Sequence, residues 1–135
     1  MEKIRFNIQH DVQQAMNFGL PIVALESTVI THGLPQPVNL RLAQDMEATV
    51  RAQGATPATI ALMDGSVKVG LSSEELEQLA GAVNPHKVSL RDFGYALEKR
   101  LTGGTTVAAT IFVAEKVGIK VFATGGIGGV HRNAP

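Results

Sequence analysis

Short apolar runs alternate with segments in which apolar residues return every three or four positions, and Gly or Pro marks most of the boundaries. Val12, Ala15 and Met16 share one face of a short helix that Asp11 is placed to cap and Gly19 to close. Pro21 introduces Ile22-Val23-Ala24-Leu25, a buried strand that runs into the polar loop Glu26 to Gly33. A second helix is expected near Pro37, whose missing N–H does no harm in a first turn. Val38, Leu42, Met46 and Val50 recur along it, and Gly54 stops it. Ala58 to Met63 is a second strand, Asp64-Gly65 a turn, and Val67-Lys68-Val69 a short return strand.

Ser72 and Glu75 have the spacing of a capping box, with Leu71 and Leu76 placed to form a hydrophobic staple, so a helix runs from there to Gly81. Lys87-Val88-Ser89 is a short strand, and Ser89 with Asp92 suits the start of a helix through Arg100. Thr102 to Thr106 leads into Val107–Val117, apolar on nearly every face and therefore expected as a buried helix. After Gly118 comes a strand over Ile119 to Ala123 and then a glycine-rich end. This rhythm predicts an α/β fold, a three-layer α/β/α arrangement around a mostly parallel or mixed sheet.

Length adds that residues 1–135 form a single domain. Seven of the fourteen glycines fall in the last 33 residues, and the chain stops inside a glycine-rich loop. A loop of that kind normally leads into something that covers it, so the domain is expected to be incomplete, with apolar surface left open and a tendency to associate. Twelve basic side chains balance twelve acidic ones, and Trp is absent, which disfavours a nucleic-acid partner. There is no Cys, hence no disulfide, thiolate metal site or Cys nucleophile. The start of the chain does not read as a secretory signal, and no apolar run is long enough for a bilayer. A cytoplasmic protein with no membrane partner is the expectation.

Ligands of open α/β sheets gather at the carboxyl ends of strands. Glu26 follows four apolar residues there, where partial desolvation favours the protonated carboxyl and suits it to give a proton; a loop cap or an ion pair with a nearby Arg fits the same position. Gly103-Gly104-Thr105-Thr106 opens a helix whose N–H groups suit a phosphate, with Lys87 as a possible positive charge; an ordinary turn and a solvated lysine fit as well. Gly125 to Gly129 follows a strand but departs from the dinucleotide fingerprint, because His131 stands where a third glycine belongs. The four histidines have no metal-ligand spacing.

Several longer strings agree with one family. Val23-Ala24-Leu25-Glu26-Ser27-Thr28, Ile30-Thr31-His32-Gly33-Leu34-Pro35, Pro57 to Ala61, Lys68 to Leu71, Lys87-Val88-Ser89 with Arg91-Asp92, Thr105 to Ala108, and Val121 to Arg132 resemble, in order, the pseudouridine-5'-phosphate glycosidases, also called the indigoidine synthase A-like family. The resemblance implies reversible cleavage of the C–C glycosidic bond of pseudouridine 5'-phosphate to uracil and ribose 5-phosphate through a lysine Schiff base. It implies an α/β/α fold, a homotrimer and a divalent metal, typically manganese. By position it makes Glu26 the proton donor and Lys87 and Val107 substrate-binding residues, with Thr106, Thr124 and His131 in motifs that line the site. The family's metal-binding aspartate and nucleophilic lysine lie beyond the segment that ends at Arg132. None of Lys3, Lys68, Lys87, Lys99, Lys116 or Lys120 takes the nucleophile's place, so the chain by itself is expected to hold no metal and to be inactive. A non-catalytic module that binds a sugar phosphate or nucleotide is the alternative.

Overall fold

The computed structural model describes residues 4–129 and 132–133. Along them run β1 (Phe6–Ile8), α1 (His10–Asn17), β2 (Ile22–Leu25), one π-helical turn (Val29–Gly33), α2 (Val38–Ala52), β3 (Thr56–Met63), β4 (Ser66–Val69), α3 (Ser73–Ala80), β5 (His86–Val88), α4 (Phe93–Glu98), β6 (Gly103–Thr105), α5 (Val107–Val117) and β7 (Val121–Ala123). β3 is the hub. Its Ala58, Ile60 and Leu62 join a core with Val12 of α1, Phe93 of α4 and Val113 of α5. Its Ala61 points the other way, into a second core with Ile30, Ala43 of α2 and Leu76 and Leu79 of α3. A strand covered on both faces has no solvent side, which is why residues 58–62 are apolar but for Thr59. Helices on both faces of the sheet give the expected three layers.

The sheet is mixed. β1 lies parallel to β4, β4 antiparallel to β3, β3 parallel to β2, and β2 parallel to β7. β6 runs antiparallel to β3 and carries β5 parallel on its other side. Asp64 and Gly65 make the two-residue β3–β4 turn with φ of 50° and 73°, the left-handed pair such a hairpin requires. The capping box of α3 forms as expected: the Ser72 hydroxyl accepts from the Glu75 amide at 3.1 Å, and the Glu75 carboxylate accepts from the Ser72 amide at 2.9 Å.

Burial disfavours the charged form of Glu75, but the Lys68 ammonium at 2.8 Å, with the Ser72 bonds, holds its carboxyl below the ordinary 4.5. A lowered folded value means that this contribution to stability is complete above 4.5 and is lost as pH falls through the folded value. Lys68→Met is therefore expected to flatten the loss of stability on acidification in that range, as measured by urea unfolding at a series of pH values.

Four sequence expectations need correction. β1 and β6 are strands that the apolar pattern does not announce, because β1 is short and interrupted by polar Asn7 and β6 is mostly glycine. The cap position of α1 is Gln9, without a side-chain bond, and Asp11 lies in the first turn, where a negative charge suits the helix dipole. The inward face of α2 is Asn39, Ala43 and Glu47, one position round from the apolar stripe, and Val38 is 48% exposed. Polar bonds set that rotation. Asn39 Nδ2 donates to the carbonyls of Ile30 (3.0 Å) and Ala80 (2.9 Å), and Glu47 accepts from Thr59 Oγ1 at 2.7 Å. Finally, α5 is not buried all round: Ala109, Thr110, Val113 and Ala114 face the core, whereas Ile111 is 49% exposed.

Next to α5, β7 pairs with β2 alone among the described strands, and its Val121 is 56% exposed. An open strand edge beside exposed Ile111 favours chain-to-chain contact. Sedimentation velocity is expected to show concentration-dependent association, which Val121→Lys reduces; a monodisperse monomer at all concentrations contradicts this.

Candidate active site

β2 and β6 lie on the same side of β3, end to end and pointing at each other. Leu25, the last residue of β2, pairs with Thr59, and Gly104 pairs with Ala61, so the two carboxyl ends meet beside Ile60. Neither strand completes its ladder at that seam, and side-chain hydroxyls fill the gap. Ser27 Oγ and Thr105 Oγ1 both donate to the Ile60 carbonyl, at 2.5 and 2.8 Å, and the Thr105 amide donates to Ser27 Oγ at 2.8 Å. Thr110 Oγ1 lies 2.8 Å from Thr105 Oγ1, which ties the seam to the second turn of α5. Ser27, Thr105 and Thr110 are fully buried, so each bond is made where water cannot replace it.

The seam places Glu26, which sits between Leu25 and the clamped Ser27 and is half-buried. On its other flank β7 ends at Ala123, in register with Leu25, and Thr124 Oγ1 donates to Glu26 Oε1 at 2.9 Å. The glycine-rich loop follows; Gly128 and Gly129 have φ of 77° and 92°, which a side chain would strain.

Gly103 and Gly104 do not open a helix. They are buried strand residues, and glycine is required because the His86 backbone of β5 presses against Gly103, and the Ser27 backbone with the Thr31 hydroxyl against Gly104. The free end of α5 begins one step later. The Thr106 hydroxyl caps the Ala109 amide, and the Thr106 carbonyl takes the Thr110 amide. The amides of Val107 and Ala108 are left at the helix head, where the dipole favours an anion. Val107 itself is half-buried. Lys87 is an exposed residue of β5 in register with Gly104, in no ion pair among the described residues. Lys68, by contrast, is committed to Glu75.

The fold thus brings the ends of β2, β7 and β6, and the head of α5, to one region, with β5 beside β6. Two surface hollows lie elsewhere, one by Phe18, Leu20 and Arg51 and the other by Ile111, Ile119 and Phe122; neither includes Glu26, Lys87 or Val107. His131 lies outside the described residues. The sequence reading missed the Ser27–Thr105–Thr110 clamp. Its one visible signal was a hydroxyl directly after Glu26 and another two residues before Val107.

An acidic side chain at the carboxyl edge of a layered α/β sheet, beside a helix head and a glycine-rich loop, marks a domain of the layered α/β class with its polar groups gathered at one sheet edge. The chain belongs to the indigoidine synthase A-like family: the profile described as "Indigoidine synthase A like protein" matches residues 11–135. Among similar proteins, a pseudouridine-5'-phosphate glycosidase of Herpetosiphon aurantiacus is 59% identical over 124 residues, 92% of this chain and 41% of the relative. One from Mycoplasmopsis agalactiae is 54% identical over 124 residues, again 92% and 41%. The solved prealnumycin C-glycosynthase AlnA, in complex with ribulose 5-phosphate, superposes with a TM-score of 0.83 at 40% identity, covering 97% of this chain and 42% of that one. The chain therefore spans about two fifths of the length of these relatives.

Proposed function

We propose that these residues form the proton-donor and sugar-phosphate part of a pseudouridine-5'-phosphate glycosidase site. The observation that carries this is the placement of Glu26 at the seam of β2 and β6, bonded to Thr124 and beside the start of α5, in a chain so similar to enzymes of that name. The alternative role of Glu26, an ion pair with a nearby Arg, has no support among the described ion pairs.

The chemistry suits the arrangement. The carbon that leaves in C–C cleavage has no lone pair to protonate first, so a pair of carboxylates of the kind that opens O-glycosides is not sufficient. With a lysine nitrogen in place of the ring oxygen at C1', one acid, Glu26, delivers its proton to the uracil carbon, which keeps the electron pair of the breaking C–C bond, while the nitrogen lone pair makes C1' an iminium that water then hydrolyses to ribose 5-phosphate. The phosphate lies at the Val107 and Ala108 amides, with Lys87 supplying positive charge. The nucleophilic lysine comes from the part of the family fold outside the aligned two fifths. Among the described residues no three His, Asp or Glu side chains gather as metal ligands. The aspartate of the manganese site that the family resemblance implies belongs, on this reading, to the same part of the fold as that lysine. Homotrimer assembly in the cytoplasm belongs to the same reading.

The probe is ribose 5-phosphate. Calorimetry on the 135-residue chain is expected to show saturable binding that Lys87→Ala weakens by about tenfold, the loss of one charge-assisted contact. Pseudouridine 5'-phosphate is expected to bind without turnover. Absence of any saturable binding overturns the proposal, and turnover by these residues alone overturns the assignment of the lysine to another segment.

A further inference from the structure

We propose that Thr124 is a positioning residue for the acid: its hydroxyl fixes the direction in which the Glu26 carboxyl points and ties that carboxyl to the glycine-rich loop. The inference rests on the proposed role of Glu26 only for its catalytic meaning; the geometry stands without it. β2 and β7 are parallel and in register, Leu25 opposite Ala123, so the next residue of each strand, Glu26 and Thr124, leaves the sheet side by side. Thr124 Oγ1 is 2.9 Å from Glu26 Oε1 and 3.3 Å from the Gly126 carbonyl. One hydroxyl carries one proton. It goes to the nearer acceptor, the Glu26 oxygen, because a hydrogen bond weakens as it lengthens. The second acceptor is then held weakly, and the loop is anchored through the same atom that aims the acid.

Among the described residues, the neighbouring elements offer little else to restrain Glu26. β6 and the first turn of α5 carry no charged side chain, and β7 carries none. The titratable groups on adjoining segments are His86 and Lys87 of β5 and His32 of the π-helical turn. The His32 ring is engaged with Thr31, at 2.6 Å from Nδ1 to Oγ1, and Lys87 is exposed. A glutamate side chain has three rotatable bonds, and without Thr124 it samples several rotamers. An acid that must reach one carbon of a bound base loses efficiency when it does so.

The test is made on the ligand-free chain, so it is independent of whether any sugar phosphate binds. Side-chain three-bond couplings of Glu26, measured by NMR, are expected to report one dominant rotamer in the native protein. Thr124→Val, nearly the same shape without the donor, is expected to average them, and Thr124→Ser to restore the single rotamer. The amide signals of Gly125 to Gly129 are expected to move in the Val variant and return in the Ser variant. Exposed Glu74 and Glu77 serve as controls and should not change. Averaged couplings in the native protein, or unchanged couplings in Thr124→Val, overturn the proposal. Failure of the Ser variant to restore them overturns it too, and if the Val variant does not fold, the native and Ser measurements still decide. Loss of ribose 5-phosphate binding with these couplings intact would instead count against the proposed function.

Discussion

Gly104→Ala is expected to be among the most damaging small substitutions in this protein, together with Gly103→Ala, whose Cβ would collide with the His86 backbone. A Cβ built on Gly104 would fall 2.6 Å from the Ser27 carbonyl oxygen and 2.8 Å from its carbon, and would also collide with Thr31 Oγ1. A threonine end could turn aside, but the Ser27 backbone cannot, because the amides of Ile30 and Thr31 both donate to that carbonyl. β6 must therefore move off the turn, and its ladders to β3 and β5 move with it. Overpacking of a tight core costs up to about 3 kcal/mol, and contact with fixed backbone belongs at the upper end. A fall in Tm of roughly 10 °C is expected by calorimetry, together with loss of ribose 5-phosphate binding, since Lys87 and the head of α5 are carried by β6 and its neighbours. Gly94, where a Cβ meets nothing within 4 Å, is the control: Gly94→Ala should be neutral or slightly stabilising. Equal effects at the two glycines would refute this account of the seam.

Ser27→Ala is expected to be costly as well. The hydroxyl is fully buried and does two things at once, donating to Ile60 and accepting from the Thr105 amide. Its removal leaves a buried N–H with no acceptor, a loss of about 2–3 kcal/mol by urea unfolding. Thr105→Val removes the other donor to Ile60 and strands Thr110 as well. Because either hydroxyl alone still satisfies the shared Ile60 carbonyl, the double variant, which leaves it with neither, is expected to lose clearly more than the sum of the single losses. Simple additivity would show that the two act separately.

Much of this was legible in the sequence. The β2 and β3 strands, the Asp64-Gly65 hairpin and the α3 capping box each rest on local signals, namely apolar runs, a left-handed turn pair and a three-residue spacing. The position of Glu26 at a strand exit followed from the run before it. What escaped was what long-range contact decides. Gly103-Gly104 looks like a loop because glycine has no β preference, yet it is a strand here for lack of room for anything larger. The inward face of α2 was misplaced by one residue because Asn39 and Glu47 are buried for their hydrogen bonds, and apolar periodicity does not register such residues. The bond from Thr124 to Glu26 spans 98 positions and has no local trace at all.

That spacing carries a consequence for how the protein comes to be. Glu26 leaves the ribosome early, but Thr105 and Thr124, which frame it, follow 78 positions after Ser27 and 98 after Glu26 itself. Until they arrive the nascent half-sheet shows a bare, freely swinging carboxylate. The frame around this carboxyl is thus completed only once Thr124 has emerged, on top of a scaffold that has already begun to set.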